Sequence, residues 1–283
     1  MFSHHPVIRL GVIIFAVILF FEIGLSCGSN SGDDDGRTSV GDSDDDGIDL
    51  PMDDDADDAD DDECGALQDG GESWGSVTTE NPANAELNYL IYIPAHNQCD
   101  VLPVLAPLGG LGSNSHDYVS GLYKDFADDN KFAIVSPAFV YDENDWNNQE
   151  SYQYPAAWSG LALSNIIAEV AEDYPIDQDR VFLFGFSAGA QFAHRWALLY
   201  PARAVAAAVH AAGSFSYPEE YIDTRFLITV GSYDDDRIVW AQNFYEAADF
   251  LGIDVTLEII EGISHRLVEE QVAMSIEYFL ESL

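Results

Sequence analysis

Residues 185–189 read Gly-Phe-Ser-Ala-Gly, set between the apolar run Val181-Phe182-Leu183-Phe184 and a stretch with helical patterning, Gln191 to Leu199. A serine with glycines two positions before and after it, at the junction of a strand and a helix, fits a turn so tight that a Cβ at either flank would clash. The strand must end there and feed a helix that packs back on the same sheet. Such a turn lifts Ser187 Oγ clear of the sheet. Three fixed residues are a modest signal alone, and the strand and helix around them make it specific.

The first 63 of the 283 residues are not globular material. His4, His5 and Arg9 precede a run without a polar residue from Leu10 to Phe21, followed by small residues from Gly24 to Gly28. That run is short for a bilayer span and fits an export signal over 1–27, with an uncleaved anchor as the alternative. Cys27 stands where a bacterial lipoprotein signal places its lipidated cysteine, although Gly24 occupies the position where leucine is preferred, so lipidation and simple cleavage both remain open. Residues 28–63 hold 16 Asp and one Glu with almost nothing apolar, the composition of a solvated, self-repelling linker. Asp42, Asp44, Asp46 and Gly47 echo a calcium loop without its flanking helices. In an oxidising compartment Cys64 and Cys99 are expected to pair, stapling the start of the domain to the segment that enters its third strand.

Of the 51 acidic residues, 17 lie in the linker and one is Glu22, which leaves 33 from Cys64 onward against 8 Lys and Arg, a formal charge of about −25 for the domain 64–283. Such a surface repels nucleic acid and anionic membranes, so contact with a membrane is expected only through an N-terminal lipid or anchor. Two lysines in the whole chain, Lys124 and Lys131, suit a protein exposed to high external salt or simply an acidic exported one.

From Cys64 onward, strand and helix patterns alternate as in a parallel sheet covered on both faces. Strands are expected at Ser76 to Thr79 and Leu87 to Ile93, joined as a hairpin, then at Leu102 to Ala106, Phe132 to Ser136, Val181 to Gly185, Val205 to His210, Phe226 to Val230 and Val255 to Ile260. Helices are expected at Tyr118 to Asp128, Leu161 to Asp173, Gln191 to Leu199, Ile238 to Leu251 and Leu267 to Leu283. Ligands of such sheets bind beyond the carboxyl ends of the strands. The residues there are Gly109-Gly110-Leu111-Gly112, Ser187, Asp234-Asp235-Asp236 and His265, and Ser, Asp, His is the chain order this architecture uses for acyl transfer.

With those residues in view, the chain from about Leu87 to Leu283 resembles the α/β-hydrolase superfamily, and within it the exported esterases grouped with polyhydroxybutyrate depolymerases and feruloyl esterases. The resemblance rests on Asp179-Arg180-Val181-Phe182 leading into Gly185-Phe186-Ser187-Ala188-Gly189, on Pro201, on Gly231-Ser232-Tyr233-Asp234 and on Gly262-Ile263-Ser264-His265. It implies an α/β-hydrolase fold of about eight mostly parallel strands with helices on both faces. It departs from the family at the oxyanion loop, where Leu108-Gly109 stands in place of His-Gly.

A neutral hydroxyl is a poor nucleophile, so acyl transfer needs a base and a carboxylate to orient it. Ser187 is the expected nucleophile, His265 the base and Asp234 the acid, with Asp235 and Asp236 close enough to compete. Of the other histidines, His4 and His5 lie in the signal, His96 and His116 in expected loops and His194 on a helix, while His210 precedes the acid and suits a surface or supporting role. The backbone N–H of Ala188 and that of Gly110 or Leu111 are the expected oxyanion donors. The aromatic segment 141–158 offers Trp146 and Trp158 as an acyl-group wall or lid, or else as a plug over the sheet edge. These readings describe an exported serine esterase of a bacterial surface or medium, monomeric, acting on a neutral carboxylic ester with no metal or organic cofactor. A peptidase or amidase with the same triad, or a surface binding protein with a dormant site, are the rivals.

Overall fold

Alternation along the strands sorts the apolar residues onto two faces of one sheet, and two sets of helices cover them. The computed structural model describes residues 65–283 except 83, 113, 114 and 143. Cys27, Cys64, the export signal, the linker and its calcium-like loop lie outside the described residues. Cys99 is disulfide-bonded.

In chain order the elements are β1 (Gly71–Thr78), β2 (Glu86–Ile93), β3 (Leu102–Leu108), α1 (Ser115–Asn130), β4 (Ala133–Pro137), α2 (Ser159–Asp173), β5 (Ile176–Phe186), α3 (Ala188–Leu199), β6 (Ala204–His210), β7 (Arg225–Gly231), α4 (Asp235–Phe250), β8 (Val255–Ile260) and α5 (Glu269–Leu280). The eight strands form one sheet in the order β1-β2-β4-β3-β5-β6-β7-β8. β2 runs antiparallel to β1 and β4, and every pair from β4 through β8 is parallel. This is the expected α/β-hydrolase architecture.

Val104, Ala106, Val181, Leu183 and Ile228 point into a layer shared with Leu163 of α2, Phe192 and Trp196 of α3 and Phe244 of α4. Their neighbours Leu105, Phe182, Phe184 and Leu227 point into the opposite layer with Phe126 of α1 and Phe279 of α5. A period of two on a sheet buried on both sides makes each central strand apolar throughout, and β3 and β4 are buried at every position.

Boundaries moved where tertiary pairing overrode the local pattern. β1 begins at Gly71, five residues before the expected Ser76, because its exposed first half carries little apolar pattern yet pairs in register with β2 from Gly71↔Ile93 onward. β5 begins at Ile176, where Asp177, Gln178 and Asp179 carry no apolar signal yet extend the strand that pairs with β3 across a register shift at Pro103/Val104. His116, expected in a loop, lies in the first turn of α1.

Candidate active site

The elbow at Ser187 is built by its glycines. A Cβ on Gly185 would collide with the carbonyl of Gly189, and one on Gly189 would collide with the carbonyls of Leu108 and Gly109 at the end of β3. Helix α3 is thereby seated against the neighbouring strand, and Ser187, at its N-cap, takes φ 57° and ψ −114°. Positive φ is uncommon outside glycine and costs on the order of 1–3 kcal/mol, so the surrounding contacts must hold it. Ser187 N–H donates to the carbonyl of His210 on β6 at 2.9 Å, and the Ser187 carbonyl accepts from Gln191 N–H at 3.1 Å.

Three strand ends meet at this serine. Ser187 Oγ lies 2.9 Å from His265 Nε2, and His265 Nδ1 lies 3.0 Å from Asp234 Oδ2. With the Nδ1 proton donated to the carboxylate, Nε2 is left to accept from the serine hydroxyl. Asp234, 8% exposed, is the N-cap residue of α4 without a side-chain capping bond, because its carboxylate is turned to His265 and to Arg237. Asp235 and Asp236 fall in the exposed first turn of α4. Arg237 Nη1 donates to Asp234 Oδ1 at 2.8 Å. Sequence reasoning missed this clamp, and its signal was a basic residue three positions after the acid, one helical turn on.

The loop after β3 lies against Ser187. A Cβ on Gly110 would stand 3.1 Å from Ser187 Cβ. Tyr152, 3% exposed, donates its hydroxyl to the Gly109 carbonyl at 3.2 Å. Across a trans peptide the carbonyl and the following N–H point in opposite directions, so anchoring Gly109 C=O also sets the direction of Gly110 N–H. Tyr152 was not among the expected site residues. Burial raises its pKa well above that of a free phenol and keeps it a donor.

A cavity of about 560 Å³ opens at Ser187, walled by Gly110, Leu111, Phe186, His265, Arg266 and Leu267 among others. The expected aromatic wall is elsewhere. Trp158, 5% exposed, packs edge-on against Phe139 at 5.6 Å and donates Nε1–H to the Glu150 carbonyl at 2.6 Å. Trp146 is exposed, and neither tryptophan lines the cavity. The segment serves as a plug on the core, because its rings stack on Phe139 and close the layer above α2 and α3. The wall beside Ser187 is Phe186, whose ring stacks on His265 at 5.1 Å.

Two fully buried histidines hold the frame. His194 Nδ1 donates to the Ala190 carbonyl at 2.8 Å while Nε2 accepts from Ser216 N–H at 3.0 Å. His210 lies wholly inside, between Thr229 Oγ1 at 2.7 Å and Ser275 Oγ at 2.8 Å, which corrects the surface role open to it. Burial pushes both from 6.5 to about 3, helped at His194 by the Arg195 charge. The unfolded chain therefore binds protons that the folded one refuses. This contribution to stability is complete above about pH 6.5 and is lost as pH falls toward 3, at up to about 1.4 kcal/mol per pH unit for each ring. Urea unfolding should give a lower stability at pH 5 than at pH 7, and equal values would refute the buried neutral state. Among the described residues no group of three or more His, Cys, Asp or Glu could hold a metal ion, and no helix is long and apolar enough to cross a membrane.

The sequence pattern of the family described as Esterase PHB depolymerase matches residues 87–252, more than half of the chain. Ser187, Asp234 and Gly110 fall within that match and His265 beyond it. Feruloyl esterase B of Thermothelomyces thermophilus is 27% identical over 209 residues, covering 69% of this chain and 68% of that enzyme. Among solved structures, an S-formylglutathione hydrolase from Agrobacterium tumefaciens superposes with a TM-score of 0.59 at 17% identity, covering 77% of this chain and 97% of that one. A poly(3-hydroxybutyrate) depolymerase from Bordetella parapertussis superposes with a TM-score of 0.54 at 21% identity, covering 76% and 90%.

Proposed function

The chain belongs to the Esterase PHB depolymerase family, and on that premise we propose that it is an exported serine esterase whose triad is Ser187, His265 and Asp234. The observation that carries the reading is the unbroken contact chain from Ser187 Oγ to His265 Nε2 and from His265 Nδ1 to Asp234 Oδ2, at the floor of an open cavity. In the acylation half, Ser187 Oγ forms a bond to the ester carbonyl carbon while its proton passes to His265 Nε2. The bond to the alcohol oxygen then breaks, and that oxygen takes the proton from His265. Water repeats the sequence on the acyl-enzyme, releasing the acid and restoring Ser187.

Asp234 keeps the imidazole in the required tautomer and offsets its positive charge in both halves. Ala188 N–H, at the start of α3, and Gly110 or Leu111 N–H are the groups that would meet the developing oxyanion. Loss of one such donor typically costs about 10²–10³ in rate. Hydrolysis of simple esters, feruloyl esters and soluble polyester oligomers, set against matched amides, together with a fluorophosphonate label, tests this reading. No turnover of any ester and no label on Ser187 would end it.

Export rests on the apolar run Leu10 to Phe21 with its basic start, and Cys27 is the proposed point of lipidation or cleavage. Residues 28–63 serve as the linker and 64–283 as the catalytic domain. Cys64 and Cys99 are proposed to form the domain's disulfide, 35 positions apart in the chain. Its reduction should lower stability by about 2–4 kcal/mol. Thiol titration of the exported, unfolded and unreduced protein should find neither cysteine reactive, and two free thiols in the domain would refute the pairing.

A further inference from the structure

The domain has eight basic residues amid 33 acids, and seven of them are engaged. Lys124, Arg203, Arg225 and Arg237 pair with Glu72, Asp179, Asp254 and Asp234. Lys131 and Arg180 donate to main-chain oxygens of Ala95 and Leu283, and Arg195 is held between Gln153, Gln191, Ser214 and Ser216. The eighth is Arg266. It directly follows His265, is exposed and lines the cavity at Ser187. Among the described residues it has no side-chain partner: its main-chain N–H donates to Ser264, and Glu269 and Glu270 in the first turn of α5 lie outside ion-pair reach.

An unpaired guanidinium is conspicuous where acids outnumber bases four to one. Its planar fork matches a carboxylate in two-point contact. We propose that Arg266 receives a carboxylate on the substrate, so that the preferred ester is one whose alcohol part carries an ionised carboxylate, as in the ester of a hydroxy acid. The side of the substrate follows from the chemistry of the esterase reading, on which this inference rests. His265 returns the proton to the departing alcohol oxygen, so the alcohol part lies on the wall that His265 and Arg266 form, while the acyl oxygen faces Ala188 and Gly110. The acidity of the domain suggests a neutral substrate, but at about 0.1 M salt charges more than about 10 Å away are largely screened, whereas a guanidinium in contact is not. Arg266 thus acts as a specificity residue, reading one group that the bulk charge would repel.

The test is a pair of esters, the acetate ester of 3-hydroxypropanoate and the same ester with its carboxylate replaced by a primary amide. The ratio of their kcat/KM values is taken within each protein, which cancels any loss of folded material. The carboxylate-to-amide ratio should fall about tenfold or more in Arg266→Gln and by less in Arg266→Lys, which keeps the charge and loses the fork. Turnover of both esters with a ratio indifferent to Arg266→Gln would overturn the role of Arg266 and leave the esterase intact. No turnover of either ester, with no fluorophosphonate label on Ser187, would overturn the esterase reading and this inference with it.

Discussion

Replacing Ser187 with alanine is expected to lower kcat for ester hydrolysis by about 10⁶, because nucleophile, base and acid act as a unit and removing the first removes the covalent route. Alanine keeps the Cβ, so the positive φ of 57° and the seating of α3 against Leu108 and Gly109 carry no new strain. The variant should melt within a few degrees of the parent and should no longer take a fluorophosphonate. What remains, roughly 10³–10⁴ over water, would come from the oxyanion donors and from binding. Near-parental turnover by the purified variant would sink the serine mechanism.

Asp234→Asn should reduce kcat by about 10⁴. An amide at that position can present its NH₂ to His265 Nδ1, which favours the tautomer whose Nε2 carries a proton and cannot accept one from Ser187. It also leaves Arg237, now 2.8 Å from Asp234 Oδ1, beside an uncharged group. Asp235→Asn and Asp236→Asn should stay within about tenfold, since both side chains lie exposed in the first turn of α4 while only Asp234 reaches His265. Measuring kcat for the three variants on one ester ranks them directly. A larger loss at Asp235 or Asp236 would mean that the loop after β7 adopts another register during catalysis.

The three residues of the contact chain were legible as positions before they were legible as neighbours. Ser187, Asp234 and His265 each directly follow a patterned strand, and chain order did the rest. Arg237 and Tyr152 were not, because a basic residue on a helix and a tyrosine in an aromatic loop have many commoner uses. Only the folded chain brings Tyr152 to Gly109, 43 positions away, or turns Trp158 into the core. The segment 141–158 read equally well as wall or plug, since aromatic side chains bury their area in either place and composition carries no direction.

By itself the sequence determined the alternation of strand and helix, the elbow and the ends of the strands that meet there. These depend on periods of two and 3.6 residues and on glycines whose absent Cβ is a local property. The tertiary structure decided which strand neighbours which, so that β3 lies beside β5 and puts Gly110 next to Ser187. It also decided which acid meets the histidine, which aromatic ring faces the cavity, and that one arginine stands there with no side-chain partner among the described residues. Each of those is a distance between residues far apart in the chain, set by how the two layers pack on the sheet, and no local pattern encodes it.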